Sequence, residues 1–351
     1  MSAASPITTS VVIPGYNRSE PLKYTLRSAA RAAAAAPGRT EVILVDDGSV
    51  PPLEEQLAGF DAGLALTHLR QANQGSIVAR QAGLAAAAGA YVLFLDSDDL
   101  VAPEKLARQV AAMAEVRADV SYADMAAATL GPAYEVATFA PADVLPATAE
   151  PAVLYLGLQP APHNPVYRRS YLAAALGRPL IPAERAMDPA GDAWLYYNLA
   201  PFPARIVKVA GAFAAPGPHG EDRYSHHWEK LGVAALLVME RFIRACHQRP
   251  DTEPARCAAG AAAFRAWRGL PRGFSPEFEA RLLDVFQRAP GGPARGLGTA
   301  RFAALAALLG PVGAGRLLRL LRGRPYAQSR TLTDPELRLL LEGLEASRPR
   351  P

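Results

Sequence analysis

Five aspartates in two short clusters carry the strongest chemical signal in this sequence: Asp46-Asp47-Gly48-Ser49 and Asp96-Ser97-Asp98-Asp99. A D-x-D triplet in a tight turn sends two carboxylates toward one side. Hard divalent cations such as Mn2+ and Mg2+ take oxygen ligands of that kind and keep positions open for phosphate oxygens. A cation bridging a diphosphate neutralises the charge that grows on it as it departs. By itself the triplet is a weak signal, because acids in loops are more often solvated than functional. Its setting gives it weight.

Each cluster ends a run that reads as a buried strand. Ser10–Ile13 is β-branched and stops at Pro14-Gly15, and Ser19 can cap the helix that follows, with Pro21 in its first turn. Glu41–Val45 and Leu64–Leu69 read as the second and third strands, and Ile77–Ala88 as a helix ending at Gly89. Tyr91–Leu95 is a fourth strand running into the D-x-D turn; Pro103 opens a helix to about Val116, and Val120–Tyr122 is a fifth strand. Apolar strands alternating with helices predict an α/β fold with a mostly parallel sheet and helices on both faces. Ligands of such sheets sit beyond the carboxyl ends of the strands, where both acidic clusters fall. Residues 126–160 are Ala/Pro-rich and weakly patterned, as in a loop or substrate-facing insertion, and 163–214 return to mixed structure. From about Ser225 the pattern is helical, with helices expected near 226–247, 257–268, 275–288, 300–322 and 334–346, an all-helical appendage.

The 351 residues predict two domains, and 50% hydrophobic with 20% charged residues excludes a disordered chain. No run reaches the ~18 apolar residues of a membrane span; 302–315 comes closest, with Pro311 inside it. The N-terminus lacks the basic and apolar regions of a signal peptide, and two cysteines make no disulfide framework, so a cytoplasmic address is expected. Residues 1–240 carry 18 basic and 24 acidic side chains, whereas 241–351 carry 19 arginines and 9 acids. Between Asp284 and Asp334 there is no acid and there are eight arginines. Leu317, Leu318, Leu320 and Leu321 alternate there with Arg316, Arg319 and Arg322, a basic amphipathic stretch. A helix packed on the catalytic domain is the favoured reading, and contact with an anionic membrane surface the alternative. No aromatic ladder or reader motif points to nucleic acid. Pro14-Gly15-Tyr16-Asn17-Arg18 is no dinucleotide fingerprint, and no P-loop occurs.

In their order and spacing, SVVIPGYNRSEPLKYTLRSA, EVILVDDGS, NQGSIVARQAGLAAAAGAYVLFLDSDDLVAPEKL and HNPVYRRSYL with GDAWLYYNLA resemble a family 2 glycosyltransferase of the GT-A fold. The resemblance is specific over about 1–125, thins toward 225 and is not evident beyond. It implies a catalytic domain over 1–225, with a nucleotide-binding half (1–125) and an acceptor half (126–225), and a separate helical region over 226–351. The implied reaction moves a sugar from a nucleotide-diphosphate sugar to a hydroxyl of a glycan or lipid-linked acceptor. It would be metal-dependent and inverting, in envelope polysaccharide or glycoconjugate synthesis. Carried over by position, Pro14, Tyr16 and Asn17 would form the loop under the nucleotide. Asp47, or its neighbour Asp46, would accept a hydrogen bond from the base, and Arg80 would bring positive charge near the nucleotide. Gln81 departs from the family's Arg-Asn pair. Asp96 would lie near the ribose with Ser97 in the same turn, Asp98 would coordinate the metal, and Asp99 would cap or brace the turn.

Inverting transfer is an in-line displacement in which the acceptor hydroxyl loses its proton, so a positioned carboxylate is the expected base. The resemblance places it at Asp192, with Asp188 in reserve because Gly191 stands where the family has an acid; a plain helix cap is the alternative for Asp192. His219 would approach the leaving diphosphate or stand in a solvated loop. His226 and His227 are adjacent and make a poor metal pair on a helix. His68, His163 and His247 are assigned no chemistry, and Cys246 and Cys257 read as buried thiols. Two rivals remain: a nucleotidyltransferase, which would need a Gly-rich basic loop after the first strand, and a non-catalytic scaffold. The reading requires both acidic turns to meet in one cleft, with no basic side chain in the cation's place.

Overall fold

A computed structural model describes residues 7–218, 227–291 and 297–347; His219 and His226 lie outside the described residues. The chain divides into two compact units, Met1–Pro179 with Phe202–Glu221, and Leu180–Pro201 with Asp222–Pro351. The expected boundary near 225 is therefore incomplete, because Leu180–Pro201 goes with the helical unit. The cause is visible in its helix: Trp194, Leu195, Tyr196, Tyr197 and Leu199 are all buried, and a helix apolar nearly all round must be enclosed by other elements.

In the first unit the expected strands and helices form as β1 (Ile7–Gly15), α1 (Ser19–Ala35), β2 (Arg39–Asp46), α2 (Leu53–Gln56), β3 (Leu66–Arg70), α3 (Ser76–Ala86) and β4 (Tyr91–Phe94). β5 (Asp99–Val101), α4 (Lys105–Val116), β6 (Val120–Leu130), β7 (Val136–Asp143), β8 (Val166–Arg168), α5 (Arg169–Leu176) and β9 (Ile206–Pro216) complete it. Ser19 is the first helical residue of α1 and not its cap; Arg18 holds that position without a side-chain cap bond. The stretch read as a loop instead makes an antiparallel β6–β7 hairpin, followed by a π-helical turn over Val153–Leu158. Its alanines and prolines give no apolar alternation, so the pairing left little trace in the sequence.

The sheet runs β3-β2-β1-β4-β8-β6-β9-β5, with β7 on β6. The first four strands are parallel. β8 is antiparallel to β4 and β6, whereas β9 is parallel to β6 and antiparallel to β5. Alternation along β1, β2 and β4 turns Val11, Ile13, Val42, Leu44, Leu93 and Leu95 into one core with Leu22 and Leu26 of α1 and Leu106, Val110 and Met113 of α4. On the opposite face α3 lies so close that a Cβ at Gly83 would stand 2.2 Å from Val12 Cγ1. Helices therefore cover both faces.

The second unit contains α6 (Gly191–Leu199), α7 (Trp228–Ala245), α8 (Glu253–Gly269), α9 (Pro276–Arg288), α10 (Ala300–Arg322) and α11 (Asp334–Ala346), close to the spans expected from the pattern. α10 is broken at Gly310, whose backbone (φ 70°, ψ 160°) is non-helical ahead of Pro311. Contrary to the reading of the bare sequence, Ala300–Leu321 is long and apolar enough to cross a membrane by length and composition, and little of it is buried.

Lys105 opens α4 inside the first unit, fully buried, with Nζ donating to Gln109 Oε1 and to the Asn164 carbonyl, both at 2.6 Å. Burial pushes its pKa down to about 7. An unfolded lysine titrates near ~10.4, so between about pH 7 and 10 the unfolded chain binds more protons and stability from this group rises with pH. Lys105→Met should lack that rise. Urea midpoints measured at both ends of the window should climb more in the wild type, and equal slopes would contradict the assignment.

Candidate active site

The loops after β1, β2 and β4 share one edge of the sheet. Gly15 stands in register with Asp46, the Asp47 N–H donates to the Gly15 carbonyl at 2.9 Å, and the Leu95 N–H donates to Val12 at 3.0 Å. A Cβ at Gly15 would come within 3.9 Å of Ser97 Cβ, so the first-strand loop reaches the D-x-D turn. Pro14 is buried in β1, while Tyr16 is 48% exposed and presents its ring at the surface of this edge. Asn17 adopts a left-handed φ of 51°, which its short polar side chain tolerates. Its N–H donates to Ser49 Oγ and its Oδ1 accepts the Val50 N–H, each at 2.9 Å, stapling the first loop to the second. Both acidic turns thus lie on this edge, each beside the first-strand loop.

Asp46 and Asp47 hold loops. Asp46 Oδ1 accepts the Ser49 N–H at 2.8 Å and Oδ2 the Leu53 N–H at 3.0 Å. Asp47 Oδ1 accepts from Gln71 Nε2 (2.7 Å) and the Gln74 N–H (2.9 Å), and its Oδ2 accepts the Gly75 N–H (2.8 Å) just before α3. Next to them Gly48 has φ 83°, and a Cβ there would lie 2.8 Å from the Asn73 nitrogen. Both carboxylates are buried. Bracing of the turns accounts for these contacts.

Each D-x-D carboxylate carries an arginine. Asp96 Oδ1 lies 2.5 Å from Arg80 Nη2, which buried Arg80 sends from α3, and Asp98 Oδ2 lies 2.9 Å from Arg18 Nη1. The reading required no basic side chain in the cation's place, and that requirement is not met: Arg18 stands on Asp98, and the charge of Arg80, expected near the nucleotide, is on Asp96. The physical reason is that neighbouring carboxylates repel and each gains from an opposite charge at contact. Ser97 is buried between them. Asp99 is the brace foreseen: Oδ1 accepts the Gly217 N–H at 3.2 Å, and Oδ2 lies 2.6 Å from Nδ1 of fully buried His163. Burial alone would lower the His163 pKa, but the charge and hydrogen bond of Asp99, with the charge of Asp96, together outweigh it and the pKa is raised. Sequence reasoning missed His163, and no local pattern ties it to Asp99.

No cluster of three His, Cys, Asp or Glu side chains suited to a metal occurs among the described residues. The hard oxygens of Asp96 and Asp98 suit a divalent cation that draws its remaining ligands from phosphate and water. At Asp98 such a cation would displace the Arg18 guanidinium.

In the second unit Asp192 is exposed in the first turn of α6, whose cap position is Ala190. Asp188 is buried in the 3-10 turn Arg185–Ala190. The same unit has two hollows of about 480 and 520 Å³, lined by residues of α7–α10 and their connections, and neither includes a residue predicted for the site. Cys246 is buried as expected, and Cys257 only partly.

Removing the Asp47 carboxylate strands two backbone N–H groups and an amide, and hydrogen bonds to a charged acceptor contribute about 1.5–3 kcal/mol each. Asp47→Ala should therefore lose at least about 1.5 kcal/mol in urea denaturation. An unchanged midpoint would mean that the brace is idle.

Residues 10–135 match the model of glycosyl transferase family 2. An uncharacterized glycosyltransferase of Rickettsia bellii is 33% identical over 106 residues, which is 30% of this chain and 15% of that protein. The chain thus spans under a fifth of the length of this relative. Residues 1–349 of TarS from S. aureus, solved in complex with UDP-GlcNAc, superpose with a TM-score of 0.57 at 18% identity, covering 93% of each chain. The mannosyltransferase PcManGT of Pyrobaculum calidifontis, solved with GDP-Man and Mn2+, gives a TM-score of 0.50 at 16% identity, over 98% of this chain and 87% of that one. With the parallel β3-β2-β1-β4 sheet and its acidic carboxyl edge, these matches show a fold of the GT-A type in which residues 10–135 are similar to glycosyl transferase family 2.

Proposed function

We propose that this protein is a glycosyltransferase that moves a sugar from a nucleotide-diphosphate donor to the hydroxyl of a glycan or lipid-linked acceptor, with inversion. The observation that carries the reading is the meeting of the Tyr16, Asp46–Ser49 and Asp96–Asp99 loops on one sheet edge, within the segment similar to family 2. Tyr16 supplies an exposed ring for the base, and the 71–75 loop, held by Asp47, forms the adjoining wall. Base recognition by Asp47 or Asp46 would use lone pairs beyond those spent on the turns.

Asp98, with Asp96 beside it, would hold Mn2+ or Mg2+, which when bound supplies charge to stabilise the departing diphosphate. The Arg18 guanidinium beside Asp98 would be a partner for phosphate oxygens, which it can grip in bidentate fashion. Asp192, early in α6, is the proposed base and takes the proton from the acceptor hydroxyl. A cytoplasmic site and peripheral contact of the basic C-terminal region with a membrane belong to the same reading. A second reading, a non-catalytic scaffold, draws on Gly191 and on the arginines at both D-x-D carboxylates. A nucleotidyltransferase lacks support in the Pro14–Arg18 loop.

Asp98→Ala should weaken Mn2+-assisted binding of a nucleoside diphosphate at least about tenfold, a loss of about 1.4 kcal/mol, by calorimetry. Binding equal to wild type with and without Mn2+ would remove the metal from the reading. Asp192→Asn should keep donor binding and lower turnover by about 100-fold or more, as expected for a lost general base. Turnover at the wild-type rate would place the base elsewhere.

A further inference from the structure

We propose that the outward face of α10 docks on an anionic lipid bilayer. The inference rests on the peripheral membrane contact named above and sharpens it to particular residues and a lipid class. Five leucines of α10 are exposed: Leu308 (83%), Leu309 (50%), Leu317 (38%), Leu320 (68%) and Leu321 (70%). Leu317, Leu320 and Leu321 stand at i, i+3 and i+4 and share one side of the helix. The packing side is already occupied. Phe302, Ala306 and Ala314 are buried, Arg268 stacks on the Phe302 ring at 4.0 Å, and Arg319 grips Glu279 of α9 through two contacts of 2.6 Å. The leucines are thus surplus to the fold of their unit.

Charge selects the partner. The stretch between Asp284 and Asp334 holds eight arginines and no acid, and Arg301 and Arg316 are exposed on α10 itself. Leucines flanked by arginines suit a helix lying in the plane of a negatively charged membrane surface. A symmetric contact with a second copy would set the same acid-free stretches against each other. Crossing the bilayer is disfavoured too, because the break at Gly310 would leave backbone groups without partners in hydrocarbon, and the inner face is committed to α8 and α9.

The test is sedimentation of the full chain with phosphatidylcholine vesicles, with and without phosphatidylglycerol. The protein should pellet only with the anionic vesicles, and less at high salt, where surface charges are screened. Leu320→Glu with Leu321→Glu should weaken vesicle binding at least about tenfold, through lost apolar contact and added like charge. The urea midpoint and nucleoside diphosphate binding should stay at wild-type values, since both side chains are in solvent. Wild-type protein left in the supernatant, or a variant that pellets equally well, would overturn the proposal. So would a concentration-dependent dimer in vesicle-free solution that these substitutions dissociate, which would assign the face to a second copy. Vesicle binding without sugar transfer would leave this inference intact and count only against the enzymatic reading.

Discussion

Five carboxylates crowded at one edge of a sheet must each find a positive partner or a donor, and the rest of the first unit is arranged around that demand. The chain answers it in three ways. Asp46 and Asp47 receive backbone N–H groups, Asp96 and Asp98 receive guanidinium groups, and Asp99 receives a buried imidazole. These answers differ in what they permit. A backbone N–H can leave its acceptor only if the loop opens, so Asp46 and Asp47 make a fixed shelf. An arginine side chain can swing away when another cation arrives, so Asp98 keeps the freedom to exchange partners.

Behind the D-x-D turn lies a polar layer that the sequence did not advertise. His163 is followed by Asn164, whose amide exchanges hydrogen bonds with the Ala123 backbone at 3.0 and 2.9 Å and whose carbonyl takes Lys105 and Gln109. Gln109 in turn reaches the Ser121 carbonyl at 3.3 Å. Buried polar groups this well connected gain strength from low dielectric surroundings and impose one arrangement on the strands they join. Asp99 ties the same layer to the end of β9 through Gly217. The turn that presents Asp98 therefore has a rigid back and a replaceable front.

The helical unit follows a different logic. Its interior combines aliphatic side chains such as Leu236, Leu237, Ile243 and Leu282 with alanines and a cluster of rings, Phe264 lying against Trp267, Phe286 and Phe302 at centroid separations of 5.4, 4.6 and 5.8 Å. Alanine-rich faces let helices pack closely, and arginine supplies both solvent charge and ring stacking, as where Arg319 covers Trp267. The acid-poor composition of the tail thus serves packing on one side of α10 and leaves an apolar, basic surface on the other.

The sequence alone determined most of the element types and spans, a mostly parallel sheet and the loops that bear the acidic turns. Such features are written in local pattern, since which residues face inward depends on near neighbours and on where proline, glycine and aspartate stop a run. Only the tertiary structure decided the partners: Arg18 on Asp98 across 80 positions, Asn17 on Ser49 across 32, His163 under Asp99, and the 180–201 segment with the helices. Alanines paired across the β6–β7 hairpin carry no alternation to read, and α6 shows no polar stripe to tell which body encloses it. Contacts of this kind arise when distant loops close on one edge of a sheet, and a side chain's charge or size does not say which of many complementary groups it will meet there.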